Sequence, residues 1–119
     1  MKTTLTIEQS AELIKRGVDA YKASAIKANR DPISQWTNRG KPMFTLYDLL
    51  SLLPKEIDGC NLTIGASKEE WRVAYELNEM DDDDNFVITR IIMVQFSKEL
   101  ADALFLALCN CLDNHVKLD

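Results

Sequence analysis

Apolar positions divide the chain into helical and strand-like stretches. Near the N-terminus, Ile7, Ala11 and Ile14, with Ser10 among them, recur at helical spacing, and Val18 lies just beyond. Thr6 precedes this stripe and Gln9 follows it by three residues, the arrangement of a capping box, while Gly17 suits the left-handed residue that closes a helix. A second helix is predicted after Thr45, with Asp48 at its third position and Phe44 able to staple onto Leu49. Its expected inward stripe is Leu46, Leu49, Leu50 and Leu53, and Pro54 stops it.

Past Gly59 the period changes to two. Leu62, Ile64 and Ala66 alternate with polar residues, and Ser67–Glu70 forms a polar turn. Trp71, Val73, Tyr75 and Leu77 then alternate with Arg72, Ala74 and Glu76, which predicts a hairpin with one buried face. Met80–Asn85 is an acidic turn, and Phe86–Phe96 a third strand. Within it Ile91, Ile92, Met93 and Val94 are apolar on both faces, so this strand is expected to be the most covered of the three. Ser97 is placed to cap a last helix, whose inward face reads Leu100, Ala103, Leu104, Ala107, Leu108, Cys111 and Leu112. Phe105, Leu106 and Cys109 lie elsewhere on the wheel, so this helix is apolar nearly all round. Such a helix is central in its domain or half covered by a second subunit, which makes a homodimer through this helix an expectation.

Residues 18–43 carry weaker signals. Ala20–Ala28 is compatible with a helix, and Asn29–Pro42, with two prolines and Gly40, reads as loop, in which Trp36 either folds back onto the core, the commoner case, or waits for a partner. Together these elements predict a single α+β domain over residues 1–119. Its N-terminal helices precede a three-stranded antiparallel β-meander, and a C-terminal helix packs on the sheet.

Composition narrows the functional classes. The 119 residues are 46% hydrophobic and 28% charged, an ordinary globular balance. Cys60, Cys109 and Cys111 are an odd number, which argues against a disulfide framework and for a reducing cytoplasm. The opening MKTTLTIEQS has no apolar core of a leader, and Ala103–Leu112, interrupted by Asn110, is about half the ~20 residues a bilayer requires. No membrane partner is expected. A net charge of -5 opposes nucleic-acid phosphates, so no nucleic-acid partner is expected either, and Lys15, Arg16, Lys22, Lys27, Arg30, Arg39 and Lys41 read as a solvated mixed-charge surface.

Candidate chemistry is sparse. His115 is the only histidine and sits where a final helix turn would favour a partly protonated imidazole. Cys109 and Cys111 resemble a metal or redox pair, but positions two apart on a helix diverge by roughly 200°, so core packing is the better reading. Asp81–Asp84, with Glu76 and Glu79 nearby, is rich in oxygen ligands yet lacks the glycine and distal glutamate of a calcium loop. It reads as a solvated turn that discourages edge association. Neither a glycine-rich phosphate loop nor a G-x-S-x-G elbow occurs. No catalytic residue, cofactor site or metal site is therefore expected.

Several blocks together carry a resemblance: Leu5-Thr6-Ile7-Glu8-Gln9-Ser10 with Leu13-Ile14, Phe44-Thr45-Leu46, Leu49-Leu50, Leu52-Leu53-Pro54-Lys55-Glu56-Ile57, Leu62-Thr63-Ile64, Trp71-Arg72-Val73-Ala74-Tyr75, Glu99-Leu100-Ala101-Asp102-Ala103-Leu104 and Cys111-Leu112-Asp113-Asn114. Their order resembles a family of unknown function, small proteins of gut anaerobic bacteria and of their prophages and conjugative elements. The resemblance implies a cytoplasmic accessory protein of a mobile element that acts by binding a protein partner, and it transfers no site residue. Two other readings compete: an acidic mimic of nucleic acid that occupies a DNA-binding protein, and a small metal-binding or enzymatic domain using the carboxylates of residues 76–84.

Overall fold

A computed structural model describes residues 1–27 and 40–119. The expected loop position of Trp36, and Arg30 and Arg39, lie outside the described residues. The first helix, α1, spans Ile7–Lys15 and has the capping box expected of it: Thr6 Oγ1 accepts from the Gln9 amide, and Gln9 accepts from the Thr6 amide. Gly17 closes the helix at φ 112°, a conformation that favours glycine. The buried face centres on Ser10 and Leu13, with Val18 just beyond; Ala11, expected inside, is exposed. Ser10 satisfies its hydroxyl by accepting from the buried Phe44 amide at 3.1 Å.

The stretch from Ala20, compatible with a helix in sequence, is not one over its described residues. Ala20–Lys22 makes a single 3-10 turn capped by Asp19, and Ala25–Lys27 is strand β1, paired antiparallel with β2, Lys41–Met43. Helix α2, Leu46–Leu52, has its capping box from Thr45 and Asp48. Its inward face is rotated from the expected stripe: Leu49, Leu52 and Leu53 are buried, whereas Leu50 is 39% exposed. Asp48 explains the rotation. Its carboxylate is buried and accepts from the Thr45 amide, the Ser24 amide (both 2.8 Å) and the Ser24 hydroxyl. Turning that carboxylate inward carries Leu49 and Leu52 with it and puts Tyr47, Leu50 and Ser51 on the other side.

The main sheet has four antiparallel strands, one more than expected. They run in chain order: β3 (Glu56–Ile57), β4 (Cys60–Ala66), β5 (Trp71–Met80) and β6 (Phe86–Ser97). Asp58-Gly59 joins β3 to β4 with both residues at positive φ, the conformation that a two-residue hairpin of matching twist requires. Helix α3, Leu100–Asp113, lies across one sheet face, where Leu100, Leu104, Leu108 and Cys111 join Val73, Tyr75 and Met93 in the core. Tyr75 is fully buried and donates its hydroxyl to the Pro54 carbonyl at 2.6 Å.

Ser97 does not cap α3. The N-cap is Glu99, without a side-chain cap of its own. The first residues of the chain anchor the acidic side chains of this end instead: Lys2 donates its amide to Glu99 at 2.9 Å and its ammonium to Asp102 at 2.7 Å, and Gln9 donates to Asp102 at 2.9 Å. Burial alone raises the Asp102 pKa, but these bonds outweigh it and hold the carboxyl below the ordinary aspartate range. The surplus apolar residues of α3 are largely absorbed within the chain. Phe105, Cys109 and Leu112 are half-buried against the core beside Val116 and Leu118, leaving Leu106 exposed.

Candidate functional site

Every residue from Asn78 to Ile92 is exposed. This stretch is the outer half of the β5–β6 hairpin, and it contradicts the expectation that Phe86–Phe96 is the most covered strand. β6 is one of the sheet's two edge strands, so among the described residues no strand lies beside one side of its backbone. Apolarity on both faces indicated cover because a strand between two layers reads that way. Here only Met93 of the strand is buried, beneath α3.

Two register shifts set the direction of each β6 side chain. They fall between Tyr75 and Glu76 and between Leu77 and Asn78, and leave Thr89 and Ile92 with no directly opposed β5 residue. The remaining opposed pairs include Arg72–Phe96, Ala74–Val94, Glu76–Ile91, Asn78–Ile88 and Met80–Phe86. Opposed residues share a face, and on β5 these five alternate with the core-facing Val73, Tyr75 and Leu77. Phe86, Ile88, Ile91, Val94 and Phe96 therefore form one row on the face away from α3, with exposures of 74, 50, 50, 36 and 50%. Strict alternation would have split this row between two faces; the bulges unite it.

Beside the row lies an ordered polar cluster. Glu76 is buried and accepts from Arg72 at 2.5 and 3.2 Å and from the Thr63 hydroxyl at 2.9 Å. The Arg72 guanidinium holds the Glu76 carboxyl below the usual carboxylate range, with burial opposing and Thr63 assisting. All the lone-pair directions this geometry uses are filled from within the sheet, so the cluster stiffens the face.

The residues that sequence chemistry singles out do not converge. Glu76 is committed to Arg72, while the acidic turn is tied up locally: Asp81 accepts from the Asp83 and Asn85 amides at 2.9 Å each. Cys111 is buried among apolar side chains, which push its thiol up to about 11, and Cys109, half-buried, is also raised by burial. His115 lies beyond α3, not in its last turn; it is exposed at φ 56° and its amide donates to the Leu112 carbonyl at 3.2 Å. Among the described residues, no three His, Cys, Asp or Glu side chains are grouped so as to hold a metal ion. Of the basic residues, Arg16 is engaged by Glu12 and Asp113 on the far side of the molecule's core.

The chain matches no protein-family model, no curated protein and no solved structure. No helix among the described residues is long and apolar enough to cross a membrane. Among the described residues, β6 carries seven of the large apolar side chains that are exposed. The sequence pattern does not reveal the row on the face away from α3, because period-two alternation takes no account of the two register shifts that unite it.

Proposed function

We propose that this protein is a non-enzymatic protein-interaction module, cytoplasmic and accessory to a phage-like or mobile element, whose working surface is the face of β6 turned away from α3. The observation that carries the reading is the exposed row Phe86, Ile88, Ile91, Val94 and Phe96 along an edge strand of 12 residues. Large contiguous apolar surface is rare on isolated proteins, and an open strand edge offers backbone donors and acceptors to another chain. The two together suit strand addition, in which backbone bonds supply affinity and alternate side chains supply selectivity. The placement of charge supports the same reading: the acidic turn lies at the hairpin tip, and β6 itself carries a single ionic side chain, Arg90. An acidic mimic of nucleic acid would need carboxylates spread along a face.

Site-specific photo-crosslinking in cells that naturally express the protein tests this. A photoreactive residue at position 88 or 91 is expected to give protein adducts, and one at Tyr47, exposed on α2, is expected to give none. Absence of adducts from the hairpin, or equal adducts from Tyr47, would sink the reading.

A further inference from the structure

We infer that the partner seated on β6 is a second copy of this chain, paired edge to edge and antiparallel about a two-fold axis at Ile91; this rests on the reading of β6 as an interaction strand. The apolar row is symmetric about its central residue. Ile88 and Val94 each lie three positions from Ile91, and Phe86 and Phe96 each lie five. The bulges matter here, because they put all five on one face despite spacings that strict alternation would divide. In a two-fold antiparallel pairing each residue faces the one equally distant from the axis. Phe86 then meets Phe96 of the other copy, Ile88 meets Val94, and Ile91 meets its own mate. Aromatic and β-branched cross-strand pairs of this kind are the stabilising ones.

Charge bears on the orientation. The antiparallel pairing brings the acidic turn toward the end of the other copy's β6, where Lys98 and Glu99 follow one another. It also sets the two acidic tips about 45 Å apart, well beyond the ~8 Å over which charges are felt in physiological salt. A parallel pairing in register would place the tips side by side, four aspartates against four. The near-uncharged strand, whose only ionic side chain is Arg90, is thus self-complementary in one orientation. The product is a continuous eight-stranded sheet, from two sheets of four.

Sedimentation and disulfide trapping test the proposal together. The wild-type chain is expected to sediment at micromolar concentration at twice the 13.5 kDa of one copy. Ile91→Lys, at a half-exposed position that leaves the core intact, is expected to retain the folded circular-dichroism spectrum. It should weaken the dimer by about 100-fold, because two ammonium groups face each other across the axis. Ile91→Cys should oxidise to a covalent dimer, since opposed strand residues lie within disulfide range. Phe86→Cys should not, although Phe86 is the more exposed, because its mate is about 33 Å away. A folded wild type that stays a monomer would overturn the proposal. So would a dimer that survives Ile91→Lys, or cross-linking at Phe86→Cys equal to that at Ile91→Cys. The photo-crosslinking above keeps the two readings apart: hairpin adducts exclusively to other proteins overturn the self-pairing and keep the interaction strand, and no hairpin adducts overturn both.

Discussion

The inner and outer halves of the β5–β6 hairpin share the same two strands and a similar richness in apolar side chains, but they meet different surroundings. In the inner half, Val73, Tyr75 and Met93 are sealed beneath α3 and Tyr75 anchors to Pro54. In the outer half, from Asn78 to Ile92, every residue is exposed and nothing from the described chain lies over the sheet. Apolar content is therefore not a measure of cover within one chain. What distinguishes the halves is cover: α3 lies over Val73, Tyr75 and Met93, whereas the outer half is exposed on both faces, and the bulges bring Phe86, Ile88 and Ile91 onto one of them.

The largest expected effect comes from breaking the inner half. Leu104→Ala removes a fully buried side chain and should destabilise by about 2–5 kcal/mol, read by thermal or denaturant unfolding. Ile88→Ala, in the outer half, should change the stability of the folded monomer by no more than about 0.5 kcal/mol when measured in the Ile91→Lys background. Equal losses would mean that the two halves are packed alike. Helix α2 sharpens the same contrast within seven residues. Leu49→Ala should cost about 2–5 kcal/mol, and Leu50→Ala, on the exposed side, less than about 1 kcal/mol. The Thr45→Ala variant should lose about 1 kcal/mol with its capping box, again by unfolding.

Acid gives a smaller effect. The Glu76 pKa is depressed in the folded chain by Arg72, against the opposing pull of burial. A depressed carboxylate stabilises the fold fully above its unfolded value, near 4.3, and that contribution disappears as pH falls through the folded value. Asp102, held by Gln9 and Lys2 against burial, has the same sign. The melting temperature should thus fall on acidification below pH ~4, and Glu76→Gln should flatten part of that slope. An unchanged slope would detach the Arg72–Glu76 pair from the rigidity of the β6 face.

Local signals in the sequence located the parts of the fold that depend on neighbours a few residues away. Thr6–Gln9 and Thr45–Asp48 cap their helices because a capping box is complete within four residues, and Val73, Tyr75 and Leu77 alternate inward as period two requires. Asp58-Gly59 is an equally local signal for β3, and reading it would have supplied the fourth strand. The orientation of α2 was not legible, since it depends on Ser24 reaching Asp48 across 24 positions. The anchoring of the start of α3 likewise comes from Lys2 and Gln9, nearly the whole chain away. The exposed apolar row was not legible for a third reason: its unity depends on two bulges, and apolar runs do not reveal where an extra residue will be inserted.

Amide hydrogen exchange along β6, followed as a function of protein concentration, tests the central claim most directly. If the strand edge is completed by a second copy, the β6 amides not bonded to β5 become protected as concentration rises through the dimer range. That protection is lost in Ile91→Lys, while the amides beneath α3 stay protected throughout. Fast exchange of the same edge amides at every concentration, identical in wild type and Ile91→Lys, would contradict it.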